Sequence, residues 1–332
     1  MKKVNLGIIG LGVMGQIHLN NSISLKDANL IGIADISKRA RTRAKNFGVP
    51  KIYSDYNDLL NDPNIDAVII TTPNFLHYEC ACAAAKKGKD ILIEKPLARN
   101  PEEGEQLLSV VRKTGVKLMV GYDLRFSTNF SLLKDNLEDC IYGNILLATA
   151  TYSSHGPLYH RGDTSGPTPI PEWWFDTKLT GGGALLDCGC HMINLLTWYF
   201  GEVADVKSYL GYRFNMNFED QAVCLLKFKE GPIATVNVNW FSREFKILVD
   251  LRGTVKHVIE MRPKYKGIID YGINAINNIL GKSEKTTFYK ELEYFIECIK
   301  SDTSPQPSGE EGLRDLEIIN KAYKNSLILN SV

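Results

Sequence analysis

The sequence predicts an α/β protein in two parts: a doubly wound parallel sheet, then an α+β domain around a large, mostly antiparallel open sheet. Three observations predict it. Short β-branched runs alternate with helical patterns as far as Val120, a glycine-rich turn follows the first of those runs, and longer strand-like runs fill the second half.

In chain order, the early strands are read at Val4 to Ile9, Leu30 to Ala34, Ala67 to Thr71, Asp90 to Ile93 and Lys117 to Val120. Helical patterns lie between them at Ser37 to Phe47, Asn74 to Lys87 and Pro101 to Thr114. Asn100, Pro101 and Glu102 supply a cap, a first-turn proline and an early acid. Such alternation implies βαβ units with right-handed crossovers. After about Phe126 the texture changes. A loop from Ser153 to Glu172, rich in Gly, Pro, Ser and Thr, precedes one strong helix, and strands are then read at Val203 to Leu210, Gln221 to Lys229, Ile233 to Phe241 and Ile247 to Leu251. Gly231-Pro232 and Arg252-Gly253 serve as turns. The expected domains are 1–123 for cofactor, 124–289 for substrate binding and oligomerisation, and 290–332 as helices returning to the first domain.

Composition excludes several classes of function. The chain has 332 residues, 44% hydrophobic and 23% charged, enough for a sizeable core. Lys and Arg total 39 against 38 for Asp and Glu, so no overall field attracts nucleic acid. No apolar stretch approaches the roughly 20 residues of a spanning helix. The start Met1-Lys2-Lys3-Val4 runs straight into a strand, and the 7 cysteines are read as reduced thiols of a cytoplasmic protein. Cys188, Cys190 and His191 lack the spacing of a zinc site, and no metal is expected.

The turn Gly10-Leu11-Gly12-Val13-Met14-Gly15 stands between a strand and a helix, the context in which a Rossmann fold holds a dinucleotide pyrophosphate on helix N–H groups. Asp35 ends the second strand, where a carboxylate binds the adenosine ribose and favours NAD. Lys38 and Arg39 follow closely and can accept the 2′-phosphate of NADP. Asp35 also reads as a plain turn residue before the helix at Ser37. Thr71, Thr72, Pro73 and Asn74 turn the fourth-strand region into a helix at the crevice where such sheets bind ligands. His77 reads equally as a member of that edge or as a helix-surface residue.

Glu94, Lys95 and Pro96 end another strand. Pro96 biases Lys95 to extended backbone, which fixes the amine at a strand end, where it can polarise a substrate hydroxyl. In the run Gly181 to Asn194, helical spacing puts Asp187, His191, Asn194 and Trp198 on one face and the apolar Cys188, Met192, Leu195 and Tyr199 on the next. The plain reading of this run is a helix-start acid and a core histidine.

These motifs together resemble the glucose-fructose oxidoreductase, inositol dehydrogenase and rhizopine-catabolism (Gfo/Idh/MocA) family over essentially the whole chain. Gly121 to Phe126 and Pro307 to Asp315 add to the likeness. The resemblance implies an NAD(P)-dependent dehydrogenase acting on a CH–OH group of a sugar, sugar derivative or cyclitol, with Lys95, Asp187 and His191 as the catalytic set. It implies cofactor contacts from Gly10 to Gly15, Asp35, Thr71 to Asn74, His77, Glu94 and Lys95. Substrate contacts are implied for Lys95, Asp187, His191, Asn194, Tyr122, Arg125, Tyr152 and Trp174, with His155, Tyr159, His160 and Trp173 nearby in sequence. Asn194 departs from the family pattern, since many members carry an acid there, and an amide cannot act as a base. A nucleotide-sugar substrate is the alternative that the basic cluster Arg252, Lys256, Arg262, Lys264 and Lys266 suits. An alternative of another class is a non-catalytic sensor of NAD(H) or sugar. A homodimer or homotetramer through the second-domain sheet is expected, with neither nucleic acid nor membrane as partner.

Overall fold

The computed structural model describes residues 3–156, 171–214, 216–242, 244–262 and 285–329. Tyr159, His160, Lys264, Lys266 and the helical pattern read at 267–280 lie outside the described residues. The chain divides into two compact units.

The first unit comprises residues 3–98, 102–126 and 285–313 among those described. Its sheet has six parallel strands: β1 (Val4–Ile9), β2 (Ala28–Ala34), β3 (Lys51–Tyr53), β4 (Ala67–Ile70), β5 (Asp90–Glu94) and β6 (Leu118–Gly121). Their order is β3-β2-β1-β4-β5-β6, so the direction of winding reverses between β1 and β4. That reversal opens a crevice at the carboxyl ends of those two strands. Four strands read from the β-branched runs are apolar and buried because helices cover both faces, as in Ala67–Ile70, buried at every position. The crossovers are α1 (Val13–Ser24), α2 (Lys38–Asn46), α3 (Tyr56–Leu60), α4 (Asn74–Lys86) and α5 (Pro101–Thr114). Ser37 caps α2 by accepting from the Ala40 amide.

A helix from late in the chain, Thr287–Ser301, completes this core. Leu292, Phe295 and Ile296 join Leu6, Ile8, Ile33, Ile69, Leu92 and Met119 in one buried cluster. The same helix brings Glu291 inside, fully buried, with no hydrogen-bond partner for either carboxylate oxygen. Burial first, then the neighbouring Glu94 and Asp123 carboxylates, push its pKa well above the ordinary range. Asp123 is held by the Thr287 hydroxyl at 2.7 Å and Glu94 by His18 at 2.9 Å.

The second unit comprises residues 99–101, 127–262 and 314–329 among those described. After α6 (Thr128–Glu138) it forms a seven-stranded sheet from β7 (Ile145–Ser153), β8 (Val203–Gly211), β9 (Gln221–Phe228), β10 (Ile233–Asn239), β11 (Lys246–Gly253), β12 (His257–Met261) and β13 (Ser326–Leu329). The order is β12-β11-β7-β10-β9-β8-β13, antiparallel except for the β7–β10 and β8–β13 pairs. Strand β9 alternates buried and exposed along its length, so one face of the sheet is covered and the other open. The covering element is a π-turn at Leu185–Gly189 continuing into the helix Cys190–Phe200, packed on β7 and β10. Cys188, Met192, Leu195 and Tyr199, the stripe read as apolar, are all buried there. All seven cysteines are free, and Cys140 alone among them is exposed.

The buried Glu291 gives a stability test. Folding binds its proton more tightly than the unfolded chain does, so stability is retained in acid and falls as pH rises through the carboxylate range toward the raised native value. Glu291→Gln removes the ionisable group but keeps the shape. Urea unfolding is expected to show the variant losing less stability than the parent between pH 5 and pH 8, with an advantage of about 1–3 kcal/mol at the higher pH. Parallel pH curves for the two proteins would contradict this.

Candidate active site

The glycine turn is built by close backbone approach. Gly10 has φ +88°, and a Cβ on it would come within 2.9 Å of the Thr71 carbonyl oxygen. A Cβ on Gly15 would strike the Gly10 carbonyl and sit 2.8 Å from Thr71 Oγ1, whereas Gly12 faces open space. Thr71 Oγ1 donates to Gly10 O at 2.7 Å and ties the end of β4 to the turn. Gly12 caps α1 without a side-chain bond, which leaves the first N–H groups of that helix for an anion. A dinucleotide pyrophosphate fits this cradle, because an added methyl group at Gly10 or Gly15 would collide and the approach at Gly12 is clear.

Asp35 stands at the end of β2 and is half-buried. Its Oδ2 accepts from the Leu11 amide at 2.6 Å and its Oδ1 from the Ser37 amide at 2.7 Å. The carboxylate thus braces the glycine turn as well as the start of α2, as the turn reading of Asp35 expects. Val13 is exposed, Leu11 is buried, and Met14 is intermediate.

His77, read as either surface or edge, is buried. Its Nδ1 lies 2.7 Å from the Pro96 carbonyl and its Nε2 3.0 Å from the Thr72 carbonyl. The ring lies between the loop after β4 and the turn after Lys95, and in its neutral form its single N–H donates to one of these two carbonyls. Burial lowers its pKa despite those two carbonyls. Pro73 precedes α4, and Asn74 opens it. Lys95 is half-buried, its peptide bond to Pro96 is cis, and Glu94 beside it is buried against His18. Tyr122 is buried, and Arg125 is buried and paired with Glu311 at 2.8 Å.

In the second unit the helical run places Asp187 half-buried and His191 buried. The Tyr152 ring stacks on His191, with centroids 5.8 Å apart and planes 22° apart. Phe245 meets Tyr152 edge-on. Cys188 Sγ donates to Asp187 Oδ2 at 3.5 Å. Trp174 stacks on Trp173 and meets the buried Trp240 edge-on. Asn194 is 1% exposed, and its amide donates to Asp315 Oδ2 at 2.6 Å.

Two buried acids stand beside these residues: Asp315, part of the tail motif, and Glu219, which sequence reading missed. Asp315, fully buried, also receives the Thr197 hydroxyl at 3.3 Å. Glu219, 2% exposed, accepts from the Leu185 amide at 2.9 Å, the Gly183 amide at 3.2 Å and the Tyr323 hydroxyl at 2.9 Å. Burial pushes its pKa up to about 7, against the pull of those donors. The only local signal for Glu219 is an acid ahead of an alternating strand, which is too common to single out.

Two family models match the chain: residues 4–122 match an oxidoreductase family with an NAD-binding Rossmann fold, and residues 130–256 match a GFO/IDH/MocA C-terminal domain. The chain is 28% identical to a myo-inositol 2-dehydrogenase of Thermotoga maritima, over 98% of this chain and 96% of that protein. It is 31% identical to the uncharacterised oxidoreductase YrbE of Bacillus subtilis, over 71% of this chain and 67% of the relative. Among solved structures, a levoglucosan dehydrogenase in complex with NADH and L-sorbose superposes with TM-score 0.83 at 25% identity, covering 98% and 97% of the two chains.

The cradle predicts a sharp steric effect. Gly15→Ala is expected to weaken NAD binding by at least about tenfold and to cost about 1–3 kcal/mol of stability through overpacking. Gly12→Ala, which meets no protein atom, is expected to leave stability nearly unchanged. Calorimetric titration with NAD and thermal melting of both variants check the contrast.

Proposed function

This chain belongs to the GFO/IDH/MocA oxidoreductase family, and from that membership we propose that it is an NAD(P)-dependent dehydrogenase oxidising a CH–OH group of a sugar or cyclitol. The observation that carries the reading is the Tyr152 ring stacked on His191, with Asp187 one turn earlier on the same helical run. An aromatic face beside hydrogen-bonding groups suits a polyol, whose C–H surface is apolar and whose rim is hydroxylated.

In this reading the first N–H groups of α1 hold the pyrophosphate, and Asp35 receives the adenosine ribose, which favours NAD over NADP. Thr71, Thr72, Pro73, Asn74 and His77 shape the nicotinamide side of the crevice. The bound nicotinamide supplies the acceptor for the carbon-bound hydride. His191 takes the hydroxyl proton as general base, and Tyr152 keeps its ring in place. Lys95 polarises the same oxygen and stabilises the developing negative charge. Asp187 holds a neighbouring hydroxyl or orients His191. Asn194 is held by Asp315 and Arg125 by Glu311, each pair within its own unit. Tyr122 packs within its own unit, and Trp174 offers an aromatic face. Free cysteines fit a reducing cytoplasm.

The open face of the second sheet suits self-association. Tyr209 pairs with Val223, and Leu225 and Ile233 lie on the same exposed side, with Leu147 directly opposite Ile233. Such an apolar face is a plausible seam for a homo-oligomer. Val223→Lys with Leu225→Glu is expected to shift the protein to monomer in sedimentation experiments. An unchanged sedimentation coefficient would remove this face from consideration.

The deciding experiment mixes the protein with NAD or NADP and a panel of cyclitols, free hexoses, sugar phosphates and UDP-sugars, following nicotinamide absorbance. Reduction confined to one class names the substrate, while silence with tight NAD binding favours the sensor reading. Lys95→Ala and His191→Ala are each expected to lower kcat by about 10²–10⁴-fold with NAD affinity nearly intact. Full activity in either variant would remove that residue from the catalytic set.

A further inference from the structure

Three consecutive amides at the start of the helical run to His191 converge on one residue. The Gly183 amide reaches both carboxylate oxygens of Glu219 at 3.2 Å, the Ala184 amide reaches its backbone carbonyl at 3.0 Å, and the Leu185 amide reaches Oε1 at 2.9 Å. Tyr323, from the helix Gly309–Lys324, adds its hydroxyl at 2.9 Å. The fit leaves no slack, since a Cβ on Gly183 would strike the Glu219 carbonyl and one on Gly182 would strike the Tyr323 hydroxyl. These amides are the unsatisfied donors of a helix start, and no side-chain cap from within the run serves them.

We propose that Glu219 is the positioning residue for Asp187 and His191: its carboxylate fixes the axial height and rotational phase of the run that carries both. A slip of one residue there would turn the following helix by about 100° and carry His191 away from Tyr152. Because the bonds to Glu219 come from N–H and O–H donors, the ionised form accepts them best, and protonation loosens the clamp. This inference rests on the dehydrogenase reading for its kinetic arm only.

The titratable groups facing Glu219 are all pushed upward by burial. Tyr323 is buried and its phenol is pushed well above 10 by burial and by Glu219 itself. Cys224 on β9 is pushed up to about 12 by burial, and Tyr212 after β8 is also raised. Asp220, next in sequence, is raised by burial but spends Oδ2 on the Phe214 amide at 2.8 Å. Glu219 itself loses its proton at about 7.

The test compares wild type, Glu219→Gln and Tyr323→Phe. In wild type, log(kcat/KM) is expected to fall in acid with a region steeper than one proton allows, about one to two log units deep, where Glu219 takes up its proton in addition to His191. Glu219→Gln is expected to lower kcat by about 10–100-fold, as for a misplaced general base, to bring the slope to about one, and to leave NAD affinity within about twofold. Tyr323→Phe removes a donor to the carboxylate, so the Glu219 step moves to higher pH. A second arm needs no turnover: in histidine-labelled protein, His191 resonances, assigned by their loss in His191→Asn, are expected to carry a step near 7 that Glu219→Gln abolishes. A His191 titration identical in all three proteins would overturn the positioning role. An inactive wild type whose His191 step vanishes in Glu219→Gln would overturn the dehydrogenase reading and keep the clamp.

Discussion

A carboxylate shut away from water must be met by donors inside the fold or give up its charge. Both units are organised around that requirement. In the first, Glu94 meets His18, Asp123 meets Thr287, and Arg125 meets Glu311, each pair joining segments far apart in the chain. In the second, Asp315 gathers Asn194 and Thr197, while Glu219 gathers the start of a helical run and a tyrosine. Glu291 is the case that takes the other route, keeping its proton where no donor reaches it.

These polar knots hold in register what hydrophobic burial leaves free. Leu185, Ile193 and Leu196 bury the covering helix against its sheet, yet apolar contact is non-directional and tolerates sliding. The bonds at the helix start and at Asn194 remove that freedom. The same division of labour holds at the crevice of the first sheet. Strands β1 and β4 supply the bulk of the burial, and Thr71, Asp35 and His77 fix the loops at their ends to within a hydrogen bond.

How much of this is written locally explains what the sequence disclosed. The glycine turn was legible because Gly10 and Gly15 are demanded by atoms a few residues away or on the neighbouring strand, within a motif of known spacing. Lys95 was legible because Pro96 follows it. The stripe Cys188, Met192, Leu195 and Tyr199 was legible from its period. The wide turn at Leu185–Gly189 was not, since nothing in the run marks a departure from regular helix. Nor was Glu219, whose partners lie from 34 to 104 residues away. Strand β13 escaped notice for the same reason: its pairing with β8 is a fact of tertiary structure, and four residues carry no period.

The end of the chain is divided between the two units, residues 285–313 packing in the first and 314–329 in the second. On a ribosome, the strands of the first sheet emerge long before the helix that fills its core, and β8 emerges well before β13. The first sheet cannot close its core until that helix has been made. Its apolar strands must therefore wait uncovered on one side until the helix arrives, the kind of exposed surface that makes a partly made domain prone to aggregate.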